Sequence, residues 1–240
     1  EEWGIIVDGN KSPDYYDGVG VTTFSPDSRR IAYLVVKDTR WSMVVDGKKE
    51  RSFDEILFMC FSPDSKHYAY SVREGKKYFM VVDGKTVGEG YEMVHVPVFS
   101  PDSAHFAYGA QKGEKWLVVT DGKEGNAYHN VGAPLFSPDS RHSAFMAQKE
   151  GVWVLVRDGQ EGTPYAVMAL PTWSPDSAHL ACIASVNDTW RVIVDGQPAK
   201  TIFAGFIKGS KLIFDGPKLI RALAIKLPGP DFVRYHLTLQ

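Results

Sequence analysis

Residues that could bind a cation recur at one position of a periodic sequence. Each follows an aromatic residue, and the residues at this position are Asp17, Asp54, Glu92, His129, Ala166 and Ala204. Carboxylate oxygens are the ligands that calcium prefers, and one ion takes several of them. If the repeats place these positions around one opening, the carboxylates and the imidazole form an arc that could hold a cation, an amine or a basic peptide.

Neighbouring polar residues extend this candidate ligand-binding site. Glu55 and Asn130 follow one position after Asp54 and His129, and His95 lies outside the position at which the other histidines repeat. A second interpretation is that these side chains are solvated or bond loop amides, as polar turn residues commonly do. The first interpretation predicts a divalent cation such as calcium, whereas the second predicts no cofactor.

Catalytic motifs are absent from the sequence. It contains no Gly-x-Ser-x-Gly, His-Glu-x-x-His or Cys-x-x-Cys motif and no glycine-rich phosphate loop. Cys60 and Cys182 fall within apolar strands, so we expect them to be buried small groups rather than nucleophiles or a disulfide framework. The sequence therefore predicts no catalytic residue.

The segments that carry these residues belong to an internal repeat of about 37 residues. The string Phe-Ser-Pro-Asp-Ser, with one Trp in place of Phe, begins at Phe24, Phe61, Phe99, Phe136 and Trp173. An Asp-Gly pair begins at Asp8, Asp46, Asp83, Asp121, Asp158 and Asp195. An aromatic residue precedes each of these aspartates, at Trp3, Trp41, Tyr78, Trp116, Trp153 and Trp190. A further aromatic follows in every copy, at Tyr16, Phe53, Tyr91, Tyr128, Tyr165 and Phe203.

Each copy predicts four short strands. Ser-Pro-Asp-Ser suits a type I turn between the first and second strands, because proline presets the required φ angle. Asp-Gly suits a type I′ hairpin turn between the third and fourth strands. A repeated antiparallel unit of this length and strand number is typical of a β-propeller.

We therefore expect an all-β fold, a six-bladed β-propeller with four antiparallel strands per blade, in a single domain over 1–240. The repeats run over 19–55, 56–93, 94–130, 131–167 and 168–205. The closing blade is predicted to be shared between the termini, with 206–240 supplying its first two strands and 1–18 its last two. Residues 231–240 also read as a third strand, which would add to that blade or displace the N-terminal strand. Seven blades are the alternative.

Strand order gives each sheet two different ends. The Ser-Pro-Asp-Ser and Asp-Gly turns lie at one end, which we call the turn end. The turns between second and third strands, and the connections between repeats, lie at the opposite end, the loop end. The candidate ligand-binding residues fall at the loop end, where the connections are expected to pass the mouth of the central channel.

Two other repeated residue types are predicted to stabilise the fold. The six aromatics that follow the Asp-Gly pairs are expected to pack between blades rather than form a stacking platform for a ligand. Histidine repeats next to the turn end, at His67, His105, His142 and His179, with Arg30 in the first copy. One histidine per repeat cannot converge on a single ion, so a structural role is expected.

The repeat resembles a known family. The unit Phe-Ser-Pro-Asp-Ser-(Lys/Arg/Ala)-(His/Arg)-x-Ala-(Tyr/Phe), followed by aromatic-x-x-Val-Val-Asp-Gly, is similar to the TolB-type, WD-repeat-like propeller repeat of bacterial proteins. The resemblance covers 1–230, and the sixth copy departs from it because Phe214 lacks the Ser-Pro pair. It implies the propeller fold, and functions that range from partner binding in the periplasm to domains appended to peptidases.

Composition limits the classes of partner. The 240 residues carry a net charge of −2, and the basic residues are scattered, so no nucleic-acid partner is expected. No apolar run approaches the roughly 20 residues of a membrane span. The chain opens with Glu-Glu-Trp-Gly, and an extracytoplasmic location with a removed signal segment is favoured over a cytoplasmic one. A monomer is expected.

These observations favour a non-enzymatic binding scaffold that holds a protein or peptide at the loop end and channel mouth. The alternative is a metal-dependent hydrolase or lyase with an acidic site formed by Asp17, Asp54, Glu92 and His129. A third hypothesis is a substrate-gating domain of a larger peptidase.

Overall fold

The chain is all-β and divides into two compact units. A computed structural model describes residues 3–12, 14–207, 211–225 and 232–239. Unit 1 comprises Glu1–Glu114 and Val119–Glu124, and unit 2 comprises Lys115–Val118 and Gly125–Gln240. The part of the chain that the structure describes contains no helix long and apolar enough to cross a membrane.

Unit 1 begins with a separate hairpin. Strands β1 (Ile6–Val7) and β2 (Asn10–Lys11) pair with each other around the Asp8-Gly9 turn. Ile5 and Val7 pack against a buried cluster of the first sheet that includes Tyr16 and Tyr33. The hairpin is therefore held by apolar contact with the sheet that follows it.

Two four-stranded antiparallel sheets follow in unit 1. The first consists of β3 (Gly18–Phe24), β4 (Ile31–Lys37), β5 (Arg40–Val45) and β6 (Lys48–Phe53). The second consists of β7 (Glu55–Phe61), β8 (Tyr68–Glu74), β9 (Lys77–Val82) and β10 (Lys85–Tyr91). In both, the strands lie side by side in chain order, as predicted for propeller blades. The second strand of each is largely buried on both faces, which explains why its central residues are mostly apolar.

The third repeat keeps the same order of elements. Strands β11 (Met93–Val94) and β12 (Val98–Phe99) pair with β13 (Phe106–Lys112), and β14 (Lys115–Thr120) pairs with β15 (Lys123–Glu124). Its first strand is thus interrupted between β11 and β12.

Unit 2 contains the fourth and fifth sheets. The fourth consists of β16 (Asn130–Val131), β17 (Leu135–Phe136), β18 (Ser143–Lys149), β19 (Val152–Arg157) and β20 (Gln160–Glu161), with β16 and β17 both paired to β18. The fifth consists of β21 (Met168–Trp173), β22 (Leu180–Val186), β23 (Thr189–Val194) and β24 (Gln197–Pro198).

The last sheet shows that Phe232–Thr238 form a third strand, as the sequence pattern of that segment indicated. Strands β25 (Gly205–Phe206) and β26 (Ile213–Gly216) pair with β27 (Leu219–Ile225), as expected for an interrupted first strand. The third strand is β28 (Phe232–Thr238), which pairs along the whole of β27. Strands close together in sequence pair with a smaller loss of loop entropy than strands from opposite termini.

The repeated four-stranded antiparallel sheet thus confirms the propeller fold class, whereas the number of blades and the single-domain boundary stay predictions. Both predicted turn types are present. The aspartates and glycines of the Asp-Gly pairs have positive φ, as in Asp46 at 50° and Gly47 at 77°, which a type I′ turn requires. The amide of Ser28 donates to the Ser25 carbonyl at 2.8 Å, which closes the type I turn.

Hydrogen bonds at the turn end link one repeat to the next. The buried Ser25 hydroxyl donates to Asp27 at 2.6 Å and accepts from the Arg30 amide at 3.0 Å. The amide of Asp27 then donates at 3.1 Å to Ser65, the last serine of the next repeat's turn. The same link joins Asp64 to Ser103 at 3.0 Å and Asp139 to Ser177 at 2.9 Å.

The repeated histidines also have the structural role predicted for them. Each Nδ1 contacts the aspartate of its own Asp-Gly turn, in the pairs His67–Asp83, His105–Asp121, His142–Asp158 and His179–Asp195, at 2.6–2.7 Å. Arg30 makes the same contact with Asp46 at 2.8 Å. The histidine thus ties the two turns of one sheet together.

The aromatics that follow the Asp-Gly pairs, which we call the connection aromatics, are mostly packed, as predicted. The backbones of Trp116 and Tyr128 exchange hydrogen bonds of 2.9 and 2.7 Å, and the corresponding pairs in other repeats are bridged in the same way. Five of the six connection aromatics are at most 2% exposed: Tyr16, Phe53, Tyr91, Tyr128 and Phe203.

The inter-repeat bond predicts a difference between two serines in the same conformation. Ser65 and Ser28 have φ of 66° and 61°, but Ser65 is buried and accepts the Asp27 amide, whereas Ser28 is exposed. We expect Ser65→Ala to lower the free energy of unfolding by about 1–2 kcal/mol and Ser28→Ala by less than about 0.5 kcal/mol. Urea unfolding of both variants measures this, and equal losses would contradict the role of the bond.

The turn aspartates predict an acid-sensitive contribution to stability. The Ser62 hydroxyl and then the Lys66 amide bond Asp64 and lower its pKa from 3.8 to about 2. Because this pKa is depressed in the folded state, the stabilisation is complete above pH 3.8 and is lost as the pH falls to about 2. We expect Asp64→Asn to flatten the dependence of unfolding free energy on pH in that window. An unchanged slope in the variant would show that Asp64 does not contribute it.

Candidate functional site

The predicted site residues lie at the loop end, in the connections that lead into the first strands. Three of them, all carboxylates in unit 1, accept a hydrogen bond from a backbone amide of the turn between second and third strands. The pairs are Asp17 with the Asp38 amide at 2.7 Å, Asp54 with the Gly75 amide at 2.6 Å, and Glu92 with the Gly113 amide at 3.1 Å. These carboxylates therefore hold the adjacent turns, in agreement with the second interpretation of the sequence.

His129, in unit 2, differs from the three carboxylates. The ammonium of Lys115 lies 2.9 Å from its Nε2, and the amide of Glu150 lies 3.4 Å from its Nδ1. A neutral imidazole accepts at only one nitrogen, and an ammonium can only donate. Because both neighbours are donors, one imidazole tautomer can accept only one of these two hydrogen bonds.

A basic side chain from an adjacent strand lies near the exposed carboxylates Asp17 and Glu92. Lys77 lies 2.8 Å from Glu92, and this contact and the Gly113 amide lower the pKa of Glu92. Lys37 lies farther from Asp17, at 3.9 Å. Each carboxylate thus has a cation beside it, which reduces its attraction for a bound metal ion.

Asp54 and Glu55 are brought together in one network of ion pairs. Arg40 bonds Asp54 and also lies 3.0 Å from Glu74. Arg73 lies 3.0 Å from Glu55 and 3.8 Å from Asp54. The hydrogen bonds that Arg40 donates to Glu74 and Arg73 donates to Glu55 are the largest causes of the raised pKa of each guanidinium. The cluster has three carboxylates and two guanidinium groups, all partly exposed.

The two remaining candidates make local contacts. The Asn130 side chain is exposed, and its oxygen accepts the amide of Val131 at 2.8 Å. His95 is half-buried, its amide donates to the Gly109 carbonyl at 2.8 Å, and burial lowers the pKa of its imidazole. Burial thus favours the neutral form of His95.

The structure brings Asp54 and Glu55 together, while Asp17 and Glu92 each join a separate sheet of unit 1. In the described part of the chain, no three His, Cys, Asp or Glu side chains are grouped as metal ligands. The geometry therefore offers paired charges for recognition of a partner. It gives no support to a hydrolase or lyase site built from the predicted residues.

Sequence reasoning missed the exposed apolar side chains of the segments that follow these charges. On the first strands of unit 1, Val21 is 74% exposed and Phe58 is 42% exposed, and Val96 in the third repeat is 46% exposed. Val21 follows Asp17 along the chain, Phe58 follows Glu55, and Val96 follows Glu92. An apolar residue two to four positions after each polar candidate was the available signal.

Comparisons with known proteins find β-propellers of low sequence identity. TolB from Acinetobacter baumannii is 16% identical with a TM-score of 0.42, covering 89% of this chain and 64% of that protein. The β-propeller domain of the Trilobed protease from Pyrococcus furiosus is 12% identical with a TM-score of 0.42, covering 98% and 86%. The Swd1 β-propeller domain from Myceliophteria thermophila is 10% identical with a TM-score of 0.46, covering 95% and 87%.

No family model and no curated protein matches the chain. The chain spans slightly less than two thirds of the length of the TolB protein. With TM-scores of 0.42–0.46, the fold class of this chain rests on its own repeated sheets.

The amide and ion-pair contacts predict that Asp54 matters for stability without a metal. Asp54→Ala leaves the Gly75 amide without an acceptor and removes one of the acceptors of Arg40, so we expect a loss of about 1–2 kcal/mol in unfolding free energy. Asp17→Ala, at a more exposed carboxylate, should lose about 0.5 kcal/mol. Millimolar calcium should leave the wild-type Tm unchanged. A rise in Tm that Asp54→Ala abolishes would instead favour the metal site.

Proposed function

We propose that this chain is a non-enzymatic binding scaffold that engages a protein or peptide through the loop end of unit 1. The observation that carries this proposal is the set of exposed apolar side chains on the segments that begin at the paired charges of the loop end. Val21 and Phe58 are 74% and 42% exposed on strands that begin beside Asp17 and Glu55. Exposed apolar groups rimmed by polar ones are typical of interaction surfaces.

The arrangement has the anatomy of a protein interface. In such interfaces an apolar centre supplies most of the free energy of binding, and a polar rim supplies specificity. Val21, Phe58 and Val96 are the candidates for the centre. Glu92 with Lys77, and the cluster around Asp54 and Glu55, are the candidates for the rim.

The ion pairs at the loop end can exchange partners at little cost. Their side chains are 31–47% exposed, so water screens them and each pair contributes little to folding. A partner with complementary charge can therefore replace one member of a pair. Because both signs are present, a partner segment with mixed charges and an apolar side chain fits best.

The remaining parts of the proposal follow the same surface. Asp17, Asp54, Glu92, Glu55 and His95 belong to the partner site of unit 1, while His129 and Asn130 are its counterparts in unit 2. An extracytoplasmic location and a monomeric state accompany the proposal as predictions.

The proposal is tested with variants on one strand. Val21→Glu and Phe58→Glu, the loop-end variants, place a charge midway along the first strands that begin at the loop end. Phe24→Glu is the matched control, because Phe24 is 61% exposed on the same strand as Val21 but lies at the turn end. Proteins that the wild type captures from a native extract are purified, and their affinity for each variant is measured by calorimetry.

We expect each loop-end variant to weaken binding of a direct partner at least tenfold, the effect of losing an interface anchor. The control should change the affinity by less than twofold. Equal losses in the control, or unchanged binding in both loop-end variants, would refute the loop end as the site.

A further inference from the structure

A cleft of about 410 Å³ lies between the fourth and fifth sheets of unit 2. Leu155, Met168 and Cys182 form part of its apolar wall. Arg157, Glu161 and Asp195 are among the charged groups that line it. Its size falls in the range of small-molecule sites, and it combines an apolar surface with a few polar groups, as such sites do.

The cleft lies where one aromatic ring is missing from the repeat. In three other repeats, the connection aromatic packs edge to face against an aromatic of the second strand. These pairs are Phe53–Tyr70 at 6.4 Å and 75°, Tyr91–Tyr108 at 6.3 Å and 75°, and Tyr128–Phe145 at 6.0 Å and 74°. In the fifth sheet the connection aromatic is Tyr165, and the second-strand position holds Cys182. Tyr165 is half-buried, whereas Phe53, Tyr91 and Tyr128 are 1–2% exposed.

The strand that faces Cys182 across the cleft also has a smaller residue than its counterpart in the first sheet. Lys48 and Lys49 of the first sheet pair with Val45 and Val44, as Gln160 and Glu161 of the fourth sheet pair with Arg157 and Val156. The next residues, Glu50 and Gly162, therefore correspond. Glu50 accepts the hydroxyls of Tyr68 and Tyr70 from the second sheet. At the cleft, Gly162 and Cys182 take the places of Glu50 and Tyr70. Because both residues are smaller, space is left open between the two sheets.

We propose that this cleft binds a hydroxy-aromatic ring, a phenol, which takes the place of the missing second-strand aromatic. The ring packs edge to face against Tyr165, in the geometry that three other repeats show. A cavity of about 150 Å³ holds one benzene ring. The cleft therefore accommodates the ring with a substituent opposite the hydroxyl.

The charged groups of the lining select a ligand that donates a hydrogen bond. Glu161 lies directly before Gly162 and accepts a hydrogen bond from Lys149 at 3.2 Å, so its side-chain oxygens can also accept one from a phenolic hydroxyl. The lining contains the carboxylates Asp158, Glu161 and Asp195 but only one guanidinium, Arg157. This excess of negative charge disfavours the binding of aromatic carboxylates. Burial raises the pKa of Cys182 to about 12, so its thiol stays neutral and acts as apolar wall.

The test is titration of the full chain, labelled at the methionine methyls, with p-cresol. The ring should shift the Met168 methyl signal in a saturable way and leave Met43 and Met80, buried in unit 1, unchanged. Toluene, which lacks the hydroxyl, should bind about tenfold more weakly, and benzoate should give no shift. No Met168 shift with p-cresol, or equal binding of toluene, would overturn the proposal.

Two substitutions at one position complete the test. Cys182→Phe supplies the missing ring and should abolish p-cresol binding while raising Tm. Cys182→Ala keeps the cleft open and should retain binding within about threefold, so the proposal stays testable if the larger side chain prevents folding. Retained binding in a folded Cys182→Phe variant would place the ligand elsewhere and refute the site.

The same titration distinguishes two sources of the phenol. N-acetyl-L-tyrosinamide binding as tightly as p-cresol supports the proposal with a tyrosine side chain of a peptide as the natural ligand. Binding of p-cresol alone supports it with a free phenol.

Discussion

The fold depends on the hydrogen bonds made by the polar groups of the Ser-Pro-Asp-Ser turns, whose first serines are buried. A serine such as Ser62, fully buried, donates to its turn aspartate and accepts the His67 amide. The last serine of the turn then accepts a backbone amide of the preceding repeat. Unpaired buried groups of this kind would each be strongly destabilising. The turn end is therefore constrained wherever this turn sequence is present, and the copies that share it differ mainly at the loop end and on the faces of the strands.

Local features of the fold followed from the sequence because each copy carries its own determinants. Proline and the Asp-Gly pair specify their turns within four residues, and repetition of His67 and its equivalents indicated a structural role. The pairing of Phe232–Thr238 with Leu219–Ile225 was harder to predict, because two segments with a suitable alternating pattern competed for one strand edge. Pattern gives the type of element but does not choose among compatible partners.

The loop end was only partly predictable for a different reason. The acidic residues are visible in the repeat alignment, but their basic partners come from other strands, as Arg40 does for Glu74 at a separation of 34 residues. A row of carboxylates in the alignment therefore suggested an acidic arc. In the structure, the candidate carboxylates Asp17, Asp54, Glu55 and Glu92 each have a basic neighbour. The charge of a surface is set by such non-local pairs, which periodicity does not reveal.

The repeats can be compared with one another, because equivalent positions of a similar backbone are occupied by different residues. Tyr70 and Cys182 occupy equivalent positions, and the space that one ring fills in unit 1 is open in unit 2. The turn end still holds the fifth sheet in place, through Ser174, His179 and Asp195. A lost side chain on a strand face therefore leaves a cleft rather than a collapsed sheet. Departures from the repeat, in a scaffold whose turns are fixed, are thus the positions at which a binding function can develop.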